Sequence, residues 1–324
     1  MKVLLTGATG NVGFETLKKL IEHKHEVTVL EIKSAKNKKK LNQYKDKIFI
    51  VFGSVTDENL ISELIVGKDV VIHLAAIIPP LADVKPELAR QTNVFGTLNI
   101  VNAIKKQIKK PFLIYSSSIS VYGDRLENYG IQVGDMLKPS FGDHYAETKI
   151  EAENIILNSN IEYTIFRLGA VMGNPKINPL MFHMPLKTKL EIVSNVDVGE
   201  ALAKSINHIE DLKGQIFYLG GGEKCRTSYH EFLENMFKIY GLKTRGINLD
   251  AFASNNFHCG YYIDGHRLNN ILHFQNDTLI TYYERLKKET PIHKRFITNV
   301  FSQPILYYMQ RKSIFLKHDN VTRR

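Results

Sequence analysis

The chain has 324 residues, 44% hydrophobic and 23% charged, ordinary for a soluble globular protein with room for one large domain or two smaller ones. Its net charge of +10 would admit a polyanion, but much of the excess sits between Lys33 and Lys47 and in the last residues. Neither zinc-finger spacing nor an RNA-binding aromatic signature accompanies it, so a solvated lysine loop is expected and nucleic acid is not.

The first hydrophobic run is too short for a signal-peptide core, and no run approaches a membrane span. Cys225 and Cys259 lack metal-ligand spacing and a disulfide framework, which makes the cytoplasm the expected compartment. Val3, Leu4 and Leu5 read as a buried strand. Thr6-Gly7-Ala8-Thr9-Gly10-Asn11-Val12-Gly13 reads as the turn into a helix, where Phe14, Leu17, Leu20 and Ile21 recur at helical spacing. Gly7 permits the tight turn, Gly10 lets backbone approach a pyrophosphate, and Gly13 lets helix and strand pack closely. The helix N-terminus adds N–H groups and positive dipole, so the unit is a candidate phosphate site. Its G-x-x-G-x-x-G spacing is one residue longer than the usual dinucleotide fingerprint.

A second strand runs from Glu26 to Glu31, an acid roughly 20 positions past the glycines and placed for the adenosine ribose hydroxyls. That favours NAD over NADP, with Lys33 and Lys36 the residues that could draw a 2′-phosphate. Ile48 to Phe52 is a third strand, and Asp57 an N-cap for a helix with Leu60, Ile61 and Leu64 on its core face. Asp69 to Leu74 is apolar enough for a strand buried on both faces. It runs into small residues, Ala75 and Ala76, over which a cofactor could lie.

Pro86 opens a long helical stretch through Asn93, Gly96 and Thr97. Phe112 to Tyr115 is a fifth strand ending in Ser116, Ser117 and Ser118. A long loop, Ile119 to Gly142, leads to a helix on which Tyr145 and Lys149, four apart, share one face. A nearby ammonium favours a phenolate, which suits the pair to moving a proton beside hydride transfer. Strands at Glu162–Leu168 and Gln215–Leu219 and a helix opening at Val196 continue the alternation. The expected fold is α/β, a doubly wound parallel Rossmann sheet with a smaller C-terminal substrate lobe. Its expected domains are 1–169, completed by about 193–220; a lobe of 170–192 and 221–290; and a basic, apolar tail, 291–324. For the tail, packing on the body or a partner subunit is favoured over contact with an anionic membrane surface.

Taken together, these motifs resemble the extended short-chain dehydrogenase/reductases, the NAD-dependent epimerase/dehydratase family, from Met1 to about Leu219. The quoted residues are the glycine turn, Glu31, His73-Leu74-Ala75-Ala76, Asn93 with Gly96-Thr97, Ser116 to Ser118, Tyr145/Lys149 and Arg167-Leu168-Gly169. The resemblance implies Tyr145 as acid/base, Lys149 as its partner and ligand of the nicotinamide ribose, and Ser118 as hydrogen-bonding the reacting oxygen. It implies NAD contacts from Gly7, Thr9, Gly10, Asn11, Val12 and Gly13. Glu31 is implied to hold the adenosine ribose, with Ser54 and Val55 on the adenine side. Leu74, Ala75, Ala76, Asn93, Ser116, Leu168 and Val171 are implied along the rest of the cofactor path.

No metal is implied, and a homodimer built through helices of the kind carrying Tyr145 is. Where dehydratases of the family carry an Asp-Glu pair, this chain has Ile119 and Ser120, which argues against dehydration. The expected activity is therefore an NAD-linked epimerase or oxidoreductase acting on a secondary alcohol or ketone, with a nucleotide sugar as the leading substrate class. The alternative is a dehydrogenase/reductase of an apolar alcohol or ketone, favoured by Ile77-Ile78-Pro79-Pro80-Leu81. A non-catalytic dinucleotide-binding role ranks third because Tyr145 and Lys149 are both present.

Overall fold

The structure is a computed structural model describing residues 1–173, 179–243 and 245–318. Residues 174–178 of the expected lobe and 319–324 of the expected tail lie outside the described residues. The chain lays down β1 (Lys2–Thr6), α1 (Asn11–Glu22), β2 (Glu26–Glu31), α2 (Ala35–Asn42), β3 (Ile48–Phe52), α3 (Glu58–Ile65) and β4 (Val70–His73). Short helices α4 (Leu81–Val84) and α5 (Pro86–Arg90) precede a π-helical turn, Gln91–Phe95, and α6 (Gly96–Lys105). Next come β5 (Phe112–Ser118), β6 (Gly130–Ile131), α7 (His144–Leu157), β7 (Tyr163–Leu168), β8 (Ala170–Met172), β9 (Lys189–Ser194), α8 (Asn195–Lys204), α9 (Ile209–Leu212) and β10 (Gln215–Leu219).

Seven strands form one parallel sheet in the order β10-β7-β5-β4-β1-β2-β3. The strand order reverses between β1 and β4, and a crevice forms at the carboxyl ends of strands beside such a reversal. Val70, Val71 and Ile72 are fully buried, as a central parallel strand with helices on both faces must be. Asp57 caps α3 as expected, accepting from the Leu60 N–H at 3.1 Å. The lysine-rich stretch after β2 is not a loop but helix α2, capped by Ser34, whose hydroxyl accepts from the Asn37 N–H at 3.0 Å.

Beyond β10 the chain forms β11 (Arg226–Ser228), α10 (Tyr229–Tyr240), β12 (Tyr261–Tyr262), α11 (His266–Leu272), α12 (Leu279–Glu289), α13 (Ile292–Val300), α14 (Ser302–Gln310) and α15 (Phe315–His318). β11, β9 and β8 make a small sheet, and β12 pairs with β6 from the long loop. A second apolar core, with Phe232, Met236, Tyr282, Leu286 and Leu306, fills this part. One stretch departs from the expected lobe: Leu268, Leu272 and Phe274 pack into the core of the main sheet.

Candidate active site

The turn after β1 is shaped by its glycines. Gly7 has φ +75°, and a Cβ there would lie 2.8 Å from the Ala75 nitrogen. At Gly13 a Cβ would run into the Gly7 carbonyl, so α1 can approach β1 only with glycine there. Helix α1 has Gly10 as its N-cap, with no side-chain cap and no acid in its first turn, which leaves its N–H groups to an anion.

Gly7, Thr9 and Gly10 open into a cavity of about 490 Å³, also lined by Glu31, Ser54, Val55 and the strand-end residues Leu74, Ala75 and Ala76. Nine of the residues implied for NAD by sequence thus meet in one place. Glu31 is fixed rather than free: its carboxylate accepts from the Thr9 N–H at 2.8 Å and the Ile32 N–H at 3.0 Å. Asn11 and Val12 sit in the first turn of α1, and the Asn11 side chain accepts from Asn195 Nδ2 at 3.0 Å. Leu168 and Val171 pack against the main core near the ends of β7 and β8. A glycine cradle, an uncapped helix terminus and an acid at the ribose end fit a dinucleotide.

Helix α7 begins after Asp143, whose carboxylate caps the Ala146 N–H at 2.9 Å. Tyr145 is thereby held in the first turn of α7. Its phenol faces Ser118, whose hydroxyl favours the ionised form. Burial pushes the Tyr145 phenol well above its usual range and Asp143 adds to this, while the Ser118 hydroxyl works the other way. One turn on, Lys149 is 2% exposed. Its Nζ donates to the Ser116 carbonyl at 2.7 Å and the Tyr115 hydroxyl at 3.3 Å, and lies 5.7 Å from the centre of the Tyr145 ring. Burial lowers its pKa to about 7, and Glu153 opposes that shift. Ser116 thus meets the lysine through its backbone, while its hydroxyl donates to the His73 carbonyl at 3.3 Å.

Asn93 is 1% exposed and ties the site together. Its amide oxygen accepts from the Ile77 N–H at 2.8 Å, and its nitrogen donates to the Ile77 carbonyl at 3.0 Å and the Thr148 hydroxyl at 2.9 Å. The π-helical turn, which widens the helix by one residue, carries this side chain into place. Asn93 therefore joins the loop after β4 to α7.

Three further sets of contacts were not visible from sequence, although His73, Thr97 and Arg167 stand in the quoted motifs. Glu153, on α7, forms a buried bidentate pair with Arg167 on β7 at 3.0 and 2.6 Å and also accepts from the Ser117 hydroxyl. His258 Nδ1 lies 2.9 Å from Asp143 and brings the C-terminal part onto the start of α7. Thr6, His73 and Thr97 form a chain of bonds. The Thr97 hydroxyl donates to the Asn93 carbonyl at 2.6 Å, so it accepts from His73 Nε2–H at 3.1 Å. His73 Nδ1 then accepts from the Thr6 hydroxyl at 2.7 Å, and Thr6 accepts from the Leu74 and Ala75 N–H groups at 3.2 Å. Asp143 could have been suspected as an N-cap. The others depend on residues far apart in sequence.

A larger cavity of about 660 Å³ opens between the loop after β5 and the C-terminal part. Its cations are partly paired, Arg125 with Asp135 and Lys187 with Glu127, both at 3.3 Å. Ser118, Tyr145 and Lys149 are named in the lining of neither cavity.

With this geometry in place, the comparisons with known proteins decide the family. The model of the NAD dependent epimerase/dehydratase family matches residues 3–226. The chain belongs to this family. Among curated proteins it is similar to mouse 3 beta-hydroxysteroid dehydrogenase type 7, 26% identical over 163 residues covering 48% of this chain and 44% of that protein. The chain thus spans under half the length of that relative.

Among solved structures it resembles DesIV, a dTDP-glucose 4,6-dehydratase from Streptomyces venezuelae crystallised with NAD. The TM-score is 0.75 at 18% identity, covering 89% of this chain and 97% of that one. It also resembles the UDP-glucuronic acid 4-epimerase of Bacillus cereus in complex with UDP-glucuronic acid and NAD. Here the TM-score is 0.72 at 19% identity, with 89% and 100% coverage. Both neighbours share the fold, the Rossmann sheet with helices on its two faces. Among the described residues no helix is long and apolar enough to cross a membrane.

Proposed function

We propose that this family member reversibly oxidises a secondary alcohol of a nucleotide sugar, with NAD as the hydride carrier and Tyr145 as the acid/base. One observation carries the proposal: Ser118 ends β5, Lys149 donates to the Ser116 carbonyl there and Tyr145 faces Ser118, all at the carboxyl edge of the parallel sheet that also bears the glycine turn after β1. Bound there, NAD would supply the hydride chemistry. Ser118 and Tyr145 present two hydroxyls to one substrate oxygen, and Tyr145 moves the proton at that oxygen. In its protonated form Lys149 lowers the cost of the phenolate, and the Ser116 carbonyl holds that ammonium in position.

Glu31 supports NAD over NADP, since a carboxylate fixed at the ribose end repels a 2′-phosphate. Nucleotide sugars enter because the solved neighbour from Bacillus cereus holds one. Dehydration is set aside in this reading although a dehydratase shares the fold, because Ile119 and Ser120 are buried and neither can act as an acid. Asp143, the nearby carboxylate, spends one oxygen on the α7 cap, and the other lies 2.9 Å from His258 Nδ1. The similarity to a steroid dehydrogenase keeps an apolar substrate as a second reading, supported by Ile78 at 57% and Leu81 at 43% exposure.

Tyr145→Phe is expected to lower turnover by about 10²–10⁴-fold while NAD affinity, read by titration calorimetry, stays within a few-fold. Turnover equal to the parent's would remove the acid/base assignment. Assays with UDP-sugars and with hydrophobic ketones separate the two substrate readings.

A further inference from the structure

Helix α13 is oriented opposite to a helix that packs on its own domain. None of its residues is buried. Arg295 and Thr298 are its least exposed side chains, and the Arg295 carbonyl lies against Gly241 at the end of α10. On the opposite side Ile292, Phe296 and Val300 recur every fourth residue as one exposed row, with Ile297 and Phe301 as a second row beside it. Their exposures run from 52% for Ile297 to 81% for Ile292. Helix α14 is built normally on one side, where Leu306 and Met309 enter the second core. On its other side Tyr307 and Tyr308 are 65% and 64% exposed. The packed half of α14 therefore anchors a presented apolar face.

The charge of this face is one-sided. From Pro291 to His318 the sequence contains Lys294, Arg295, Arg311, Lys312 and Lys317 and no Asp or Glu, in a chain with 33 acidic residues. Arg311 lies 5.7 Å from the Tyr307 ring centre and Lys312 5.0 Å from that of Tyr308. Aromatic rings with cations lying over them suit the headgroup layer of a bilayer, where apolar and charged surface are both accommodated.

We propose that α13 and the exposed side of α14 dock the protein peripherally on an anionic lipid surface. The rows Ile292–Phe296–Val300 and Ile297–Phe301 enter the headgroup–acyl boundary, and Lys294, Arg311 and Lys312 lie among the phosphates. A second copy of this chain is the weaker occupant, because two acid-free basic faces would meet with like charge. The inference stands independently of the substrate and of the catalytic assignment.

The test is co-sedimentation of the full chain with vesicles of phosphatidylcholine alone and of phosphatidylcholine containing phosphatidylserine. A variant carrying Phe296→Ser, Ile297→Ser and Phe301→Ser runs in parallel. These side chains are exposed, so the variant should keep the parent's circular dichroism and thermal midpoint. The parent is expected to bind the phosphatidylserine vesicles at least about tenfold more tightly than the neutral ones, less so as salt rises, and the variant to lose at least about tenfold. No binding, equal binding to both vesicle types or parent-like binding by the variant overturns the proposal. So does a fall in the protein's mass by sedimentation equilibrium in the variant, which would make this face a subunit interface. Capture of an acidic protein through this face without vesicle binding has the same effect.

Discussion

Burial lowers the Lys149 ammonium to about 7 although Glu153 pulls the other way. Between about pH 7 and the ordinary lysine value of 10.5 the unfolded chain holds this proton and the native protein does not. Stability therefore rises with pH across that window, and the cost of burying the cation is fully present below it. That cost is at most about 4–5 kcal/mol. Lys149→Met removes it but leaves the Ser116 carbonyl and Tyr115 hydroxyl without their donor, a loss of about 1–3 kcal/mol. The variant is expected to be about 1–3 kcal/mol more stable than the parent at pH 7 in urea unfolding, with no rise from pH 7 to 10.5, and to be inactive. A less stable variant would mean that the native site compensates the ammonium by other means. At this scale the reaction centre was legible in the sequence, because Tyr145 and Lys149 define each other by helical spacing. The groups that tune it were not. Asp143 meets His258, and Ser116 holds Lys149 through a carbonyl that no residue type announces.

At the scale of elements, α7 is fixed at both ends by carboxylates. Asp143 caps its start, and Glu153, two turns beyond Tyr145, clamps it to β7 through Arg167 and to β5 through Ser117. Burial alone would lower the Arg167 pKa, but Glu153 and then Tyr122 raise it above its ordinary value. Removing the carboxylate strands a buried guanidinium. Glu153→Gln is expected to cost about 3–5 kcal/mol, whereas the pair Glu153→Met with Arg167→Met should recover most of it. A double-mutant cycle by urea unfolding measures the coupling, and additive losses would show that the two residues act separately. Losing Glu153 also removes what holds the Lys149 pKa up, so the alkaline limb of the Glu153→Gln rate profile, where the ammonium is lost, should move to lower pH.

Across the whole molecule, alternating strands and helices made the parallel sheet legible as far as β10, since each unit signals its own turn and cap. The later returns were not, because nothing local says that Leu268 and Phe274 come back to the main sheet or that β12 pairs with β6. The same holds for the bonds from Thr6 to His73, 67 positions apart, and from His73 to Thr97. These bonds join β1, β4 and α6 around the cofactor crevice. They require a neutral imidazole: burial, then the Lys149 charge, lowers the His73 pKa from 6.5 to about 3.

As pH falls from about 6.5 to 3, the unfolded chain takes up a proton that the native protein refuses. Stability is lost through that window, by up to about 5 kcal/mol from this residue. His73→Leu leaves the Thr6 and Thr97 hydroxyls short of a partner and should cost about 2–4 kcal/mol at pH 7. The variant cannot take up the proton, so its acid limb should be shallower and the two stability curves should converge near pH 4. Other carboxylates shape both curves alike, and the difference between them isolates His73. Parallel acid limbs would show that the native imidazole takes up its proton as readily as the unfolded chain, and Nδ1 would then have to donate to Thr6 rather than accept from it.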